Sequence, residues 1–484
     1  MSATEERPAT GGASYEVGFE DLTEELPPTS LEVTGELPEW LSGGLVRVTP
    51  AQKDFGARSV SHWFDGAAML HRFGISAGEV VYSNRFLDTG FRREAIASGG
   101  KSMQGFATDP CRTLFQRVQS VFRQPAADNT NVNLSRLGDE HIAMTETPLA
   151  ICFDPETLAT TGADTAAGAL GPVTTAHPHH DPLRGELVNF TVQMGPKSRY
   201  RVYGRGGSDA QPREIATMPA QEPAYMHSFA LTERYALLIE NPLVVQPVRL
   251  IVGMTLKAES LISQYRWKPE LGLRITALDR ETGEVAGRWK CAPGFVFHTI
   301  NAFDRDGEIV LDVCLYEDAS IIDALTTERL LDDDATFQDT SAPRATRFEL
   351  PLNGDEAISA VISDEIDFEL PRINYRAHNA RPYKYAYGNA ASGAPFIKDI
   401  VKLDVETGEH LSWGAADHWA GEPVFVPAPD AQAEDDGVLL SVVLDAAAQR
   451  SYLLVLDARD LSELARAQAP HTVPFGFHGQ FFSS

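Results

Sequence analysis

The sequence predicts an all-β fold, and three observations carry that prediction. From Glu16 onward the chain consists of short apolar runs with strand-like alternation, each closed by Gly, Asp, Asn or Pro. One small pattern recurs: an apolar strand, an Asp, a turn containing Thr-Gly or a close variant, then another strand. It stands at Asp154–Thr157, Asp181–Gly185, Asp279–Gly283, Asp404–Gly408 and Asp457–Asp460. The Asp side chain bonds turn amides and Gly supplies a positive φ, so each copy predicts a hairpin. Finally, no Pro/Gly/Ser-rich or charged run divides the chain cleanly. Repeated hairpins over several hundred residues predict radial blades, because a β-propeller protects its sheet edges by repetition and tolerates unequal insertions between copies. A pair of β-sandwich domains is the alternative.

Taken in order, residues 1–15 are polar and glycine-containing and predict a short disordered lead. Residues 16–484 then predict a single propeller domain. Two segments break its β texture. Residues 102–122 place Leu114, Phe115, Val118, Val121 and Phe122 at roughly helical spacing, and residues 243–267 form a longer apolar stretch with Arg249, Lys257 and Arg266 interspersed. Both are expected to be cap insertions, either core-facing or lying at a membrane surface without spanning it.

The 484 residues, 43% of them hydrophobic, suffice for a large core. A formal net charge of -27 excludes nucleic acid as a partner through a basic face and weakens docking to anionic lipid. No apolar run has the length of a membrane-spanning helix. The 4 cysteines lack CxxC spacing, which predicts neither a disulfide framework nor a thiolate zinc site and points to the reducing cytoplasm.

Of the 13 histidines, His62, His71, His141, His378, His410, His418 and His471 lie among polar or turn residues and are expected to be surface or simply hydrogen-bonded. His227, His298 and His478 differ, because aromatic and apolar neighbours would carry each imidazole into a dry interior; His177 precedes His179, His180 and Asp181. A buried imidazole needs partners for both nitrogens. These histidines are distributed so that they can lie on inner strands of different blades, which points to one axial metal. The local cluster from His177 to Asp181 is a poorer site, since consecutive residues do not easily converge. An all-imidazole set suits Fe(II), Cu or Zn. Metal-binding histidines usually donate their other N–H to a carboxylate or carbonyl, and Glu146, Glu369 and Glu422, in apolar or proline-bounded settings, are placed for that task.

The order of several segments resembles the carotenoid cleavage oxygenases over nearly the whole chain: His62-Trp63-Phe64-Asp65-Gly66, Asp128-Asn129-Thr130-Asn131-Val132, Tyr225-Met226-His227-Ser228-Phe229 and Phe475-Gly476-Phe477-His478-Gly479. The resemblance implies a seven-bladed β-propeller with a helical or loop cap over an axial metal site. It implies one non-haem Fe(II) on His177, His227, His298 and His478, with Glu146, Glu369 and Glu422 hydrogen-bonded to the ligands. The branch containing the beta-carotene oxygenases and the retinoid isomerase looks closest. Asp109-Pro110-Cys111-Arg112 is similar to a segment of that branch, whereas Glu369 to Tyr375 looks more like the carotene oxygenases. Cys111 matches a cysteine discussed as a lipidation site.

The implied reaction is cleavage of a polyene double bond by O₂ to two carbonyl products, with β-carotene to retinal as the expected case. Apocarotenoids, stilbene-like compounds and eccentric cleavage are the alternatives. Tyr225, Phe64, Phe106 and Phe297 are expected to line the polyene tunnel, and Val132 matches a family position that crowds one coordination site; ordinary core is the competing role for each. Any membrane contact is expected to be peripheral.

Overall fold

The computed structural model describes residues 15–101, 103, 105–108, 128–181, 183–247, 260–331 and 340–483. Seven antiparallel sheets make the blades of a β-propeller; one further two-stranded ribbon pairs Leu243–Val244 with Arg266–Trp267. The innermost strands are Gly479–Ser483 in blade 1, Asn133–Leu137 in blade 2, Val173–Thr174 and His179–Asp181 in blade 3, and Ala230–Leu231 in blade 4. Phe295–Arg305, Glu369–Arg372 and Val424–Pro427 serve blades 5, 6 and 7. Several of these strands touch their counterparts in the neighbouring blade, which places them around the axis.

Every recurring Asp turn is a hairpin. Asp154, Asp279, Asp404 and Asp457 each accept backbone N–H bonds from within their turns and join the two outer strands of blades 2, 4 and 6 and the corresponding pair of blade 7. Asp181 accepts from Leu183 and Arg184 N–H and joins two inner strands of blade 3. Gly283 and Gly408, with φ of 75° and 78°, occupy conformations that favour glycine.

Among the described residues the core is divided into several clusters. Apolar side chains fill the wedge between each pair of neighbouring blades, as where Val188, Phe190 and Val202 of blade 3 meet Ala236 and Leu238 of blade 4. Central strands are therefore buried on both faces, which is why Leu453 to Leu456 read as a continuous apolar run instead of an alternating one. The ring closes through two segments far apart in sequence: Val33–Gly35 adds an edge strand to blade 7, and Gly479–Ser483 pairs with Gly43–Gln52 in blade 1.

Residues 1–14 of the expected disordered lead lie outside the described residues, but Tyr15 does not behave as part of a lead. It opens a 3-10 turn, Tyr15–Phe19, and is buried with its hydroxyl donating to Leu330 O at 3.0 Å. Phe19 packs edge-on against Trp63 and Phe475, with ring centroids 5.5 and 5.2 Å away. A Cβ on Gly18 would sit 2.3 Å from the Phe475 ring. Gly18→Val is accordingly expected to cost about 1 to 3 kcal/mol by overpacking, read as a lower urea midpoint.

Most of the first expected cap insertion, including Cys111, and residues 248–259 of the second lie outside the described residues. Among those described, helices are few and short, and none is long and apolar enough to cross a membrane.

Candidate metal centre

Four blades each bring one histidine to the axis. His177 follows the first inner strand of blade 3, His227 precedes that of blade 4, His298 lies within that of blade 5, and His478 precedes the closing strand of blade 1. Side-chain amides fix these segments. Asn133 and Asn189 donate to Ala176 O and Thr175 O, each at 2.9 Å, beside His177. Asn241 bridges the segments of His227 and His298, donating to Tyr225 O and Val296 O and accepting from Val296 N–H. Arg47, wholly enclosed, donates to Glu422 O and Phe477 O at 3.1 Å each and so ties the tail to blade 7.

The ligand-type nitrogens of His177, His227, His298 and His478 all lie within 4.8 Å of one another. Three of the rings have their outer nitrogen engaged: Nδ1 of His227 meets Glu146 Oε1 at 2.7 Å, that of His298 meets Glu369 Oε2 at 2.6 Å, and that of His478 meets Glu422 Oε1 at 2.7 Å. A carboxylate only accepts, so Nδ1 carries the proton in each pair and Nε2 is left with an inward lone pair. Yet Nε2 of His298 lies 3.2 Å from Nε2 of His478, and Nε2 of His177 lies 3.1 Å from that of His227. The facing lone pairs of His298 and His478 repel at such a distance, whereas a cation between them converts the same arrangement into coordination. The donor set therefore fits a metal ion, and its three carboxylates offset a divalent charge. Among the described residues, no carboxylate bonds His177, which is also the least buried of the four.

The electrostatics favour neutral rings. Burial pushes the His478 imidazole down to about 4 even though Glu422 pulls the other way. Burial also lowers His227 against the opposing Glu146, and burial together with the neighbouring imidazoles holds His177 well below the usual range. For Glu422 burial acts upward, but Arg372, His478 and Arg47 outweigh it and hold the carboxyl at about 2. These groups bind protons more readily in the unfolded chain. Metal-free protein should therefore lose stability as pH falls from about 6.5 towards 4 through the histidines, with a further loss from Glu422 between about 4.5 and 2. Thermal melting of chelator-treated protein is expected to give a lower Tm at about pH 5 than at about pH 8.

Glu422 depends on its arginines. Arg47 Nη1 stands 3.5 Å from its Oε2 and Arg372 Nη1 3.7 Å from its Oε1, with Gly479 N–H donating at 3.0 Å. Arg47→Met should remove about 3 to 5 kcal/mol of stability, measured by denaturant unfolding, because it strips a partner from a buried charge. Glu369 is seated by strained backbone: Leu370 has a φ of 50° and donates its N–H to Glu369 Oε2.

An apolar cavity reaches His227, His298 and His478 from the cap side. Of the residues expected to line a tunnel, Phe64, Phe297 and Val132 do line it. Tyr225 and Phe106 are not brought to its wall. The Tyr225 hydroxyl turns to donate to Glu146 Oε1 at 2.8 Å, and the Phe106 ring packs behind, 5.5 Å from Phe64 and 5.7 Å from Tyr225. Sequence reasoning missed Trp63, Tyr316, Leu325, Phe396 and Phe477 as lining residues. Two of these stood in the segments already singled out, Trp63 beside Phe64 and Phe477 beside His478, and their aromatic character was the available signal. His62 and His71 are buried rather than superficial, and both are hydrogen-bonded. His62 accepts from Phe64 N–H and its other nitrogen bonds Ile322 O, which seats Phe64.

A family model described as retinal pigment epithelial membrane protein matches residues 19–483. A carotenoid isomerooxygenase of Galleria mellonella is 36% identical, covering 96% of this chain and 94% of that protein. A beta,beta-carotene 15,15'-dioxygenase of Mus musculus is 31% identical, covering 95% and 90%. Among solved structures, cobalt-substituted Synechocystis ACO superposes with a TM-score of 0.83 at 26% identity, over 97% of this chain and 98% of that one.

Proposed function

Because this chain belongs to the retinal pigment epithelial membrane protein and carotenoid oxygenase family, we propose that it cleaves a carotenoid double bond with O₂, and that its reaction is the central cleavage of β-carotene to two molecules of retinal. The observation that carries this reading is the convergence of four imidazoles, three of them braced by carboxylates, at the end of an apolar aromatic cavity. The chain is a carotenoid oxygenase; the choice of β-carotene draws on the name of the mouse relative.

In this reading His177, His227, His298 and His478 hold one Fe(II) through Nε2, and the iron supplies the activation of O₂ that an organic side chain cannot provide. Glu146, Glu369 and Glu422 keep the Nδ1 protons of their histidines, which fixes each ring and raises the donor strength of Nε2. Phe64, Phe297 and Val132 confine the polyene beside the histidines and exclude water, with Val132 narrowing the space on its side. Both oxygen atoms of O₂ end in the two new carbonyl groups, so no proton enters or leaves and no protein acid or base is required. The substrate is apolar throughout, which suits walls whose polar groups are committed to one another. We place the protein in the cytoplasm, drawing its substrate from a membrane through peripheral contact at most.

Aerobic incubation with β-carotene followed by chromatography tests the reading, because aldehyde chain length reports the broken bond. Retinal as the only aldehyde is expected. A longer aldehyde paired with a shorter one would move the cleavage off centre, and turnover of a stilbene with β-carotene inert would defeat the substrate assignment.

A further inference from the structure

The histidine cluster stands between two cavities of different character. The cap-side cavity is apolar, and none of its described lining residues is exposed. On the other side lies a wider channel whose walls mix polar and apolar groups. Its walls come from the inner region of all seven blades, among them Asn133 and Ser135 of blade 2, Thr299 of blade 5, and Gln480 of blade 1. It is the axial channel of the propeller. At its outer end it is lined by the exposed residues His180, Tyr375 and Arg376, so it reaches solvent. At its inner end it is lined by His177, His298 and His478.

We propose that the metal ion enters and leaves through this axial channel, and that His177 is the imidazole that opens to admit it. The inference rests on the reading of the four histidines as a metal centre. A hydrated divalent cation cannot shed its water along an aromatic wall without a large desolvation cost, but it can exchange water for the hydroxyl, amide and imidazole groups of the channel. Arg372, which lines the channel, shares Glu422 with Arg47 and donates to Gly479 O and Gln480 Oε1. Arg376 stands at the solvent end, while the net charge of -27 draws cations towards the molecule as a whole. His177 has the properties of a movable ligand: it lines the channel and not the apolar cavity, it is the least buried of the four, and among the described residues no carboxylate braces it. The substrate and the ion thus approach the centre from opposite faces.

Metal uptake by the chelator-treated full-length protein tests the route. Cobalt(II) is added and its visible absorption followed in time, with final stoichiometry measured separately. Ser135→Trp narrows the channel midway, and Ser483→Trp does so from an exposed position that does not disturb packing. Ile397→Trp narrows the apolar cavity instead. Slowing of uptake by about tenfold in either channel variant, with unchanged final stoichiometry and an unchanged rate in Ile397→Trp, is expected. Unchanged rates in both channel variants, or slowing confined to Ile397→Trp, would overturn the route. Wild-type protein that takes up no cobalt at all would instead overturn the metal centre itself.

Discussion

His298→Ala is expected to abolish both metal retention and carotenoid cleavage. The ring it removes supplies one of the four inward nitrogens and is the partner of Glu369, which is buried and makes no compensating contact with solvent. Loss of that partner leaves a buried carboxylate, so the single variant should also lose about 3 kcal/mol or more of stability. The two effects separate in the double variant His298→Ala with Glu369→Leu. There the orphaned charge is gone, and unfolding measurements should show much of the stability restored while elemental analysis still finds no metal. Recovery of metal in the double variant would show that His298 serves packing and not coordination.

Deletion from Pro474 onward should have the second large effect. The segment carries His478, the Phe475 and Phe477 rings of the cap-side aromatic cluster, and the innermost strand of blade 1. Its removal exposes the ladder edge of Gly43–Gln52 and opens the ring where chain ends meet. Loss of metal together with a much lower Tm is expected, and circular dichroism melting with metal analysis checks it. The conservative variant His478→Gln isolates the coordination role: it keeps the strand, and should lower metal affinity far more than Tm.

How legible was this in the sequence? The blades were legible because their turn chemistry is local: an Asp that bonds the next amides and a Gly at positive φ announce a hairpin wherever they occur. The burial of His227, His298 and His478 was also legible, since each stands among aromatic and apolar residues, whereas His177 and the glutamates carry no such local mark. What did not show was anything set by the angle between blades. Arg47 sits in an apolar strand, Leu45 to Val48, where nothing marks it as the clamp on Glu422, a residue hundreds of positions away. Tyr225 looked like a tunnel wall because it is aromatic and precedes His227, but its hydroxyl finds Glu146 and turns the ring aside. Tyr15 looked like part of a polar lead because its partners, Phe396 and Trp419, belong to blades 6 and 7. An axial channel with polar groups in its walls beside an almost wholly apolar cavity follows from which face of each inner strand points inward, and short, irregular inner strands do not reveal that by alternation.

These distinctions bear on how activity is divided in the molecule. The residues that touch substrate in this account are few and aromatic, and changing one should move product identity more than metal content. The glutamates act through their histidines, so Glu369→Gln or Glu422→Gln should weaken metal binding by about 10- to 100-fold because the ring loses its fixed tautomer.

The most direct test of the central claim is the iron content of the purified wild-type chain, loaded anaerobically with Fe(II) and freed of excess, determined by elemental analysis alongside protein concentration. Roughly one iron per chain, falling to background in His298→Ala, is the predicted result. Carotenoid cleavage at full rate by protein that holds no iron would contradict it.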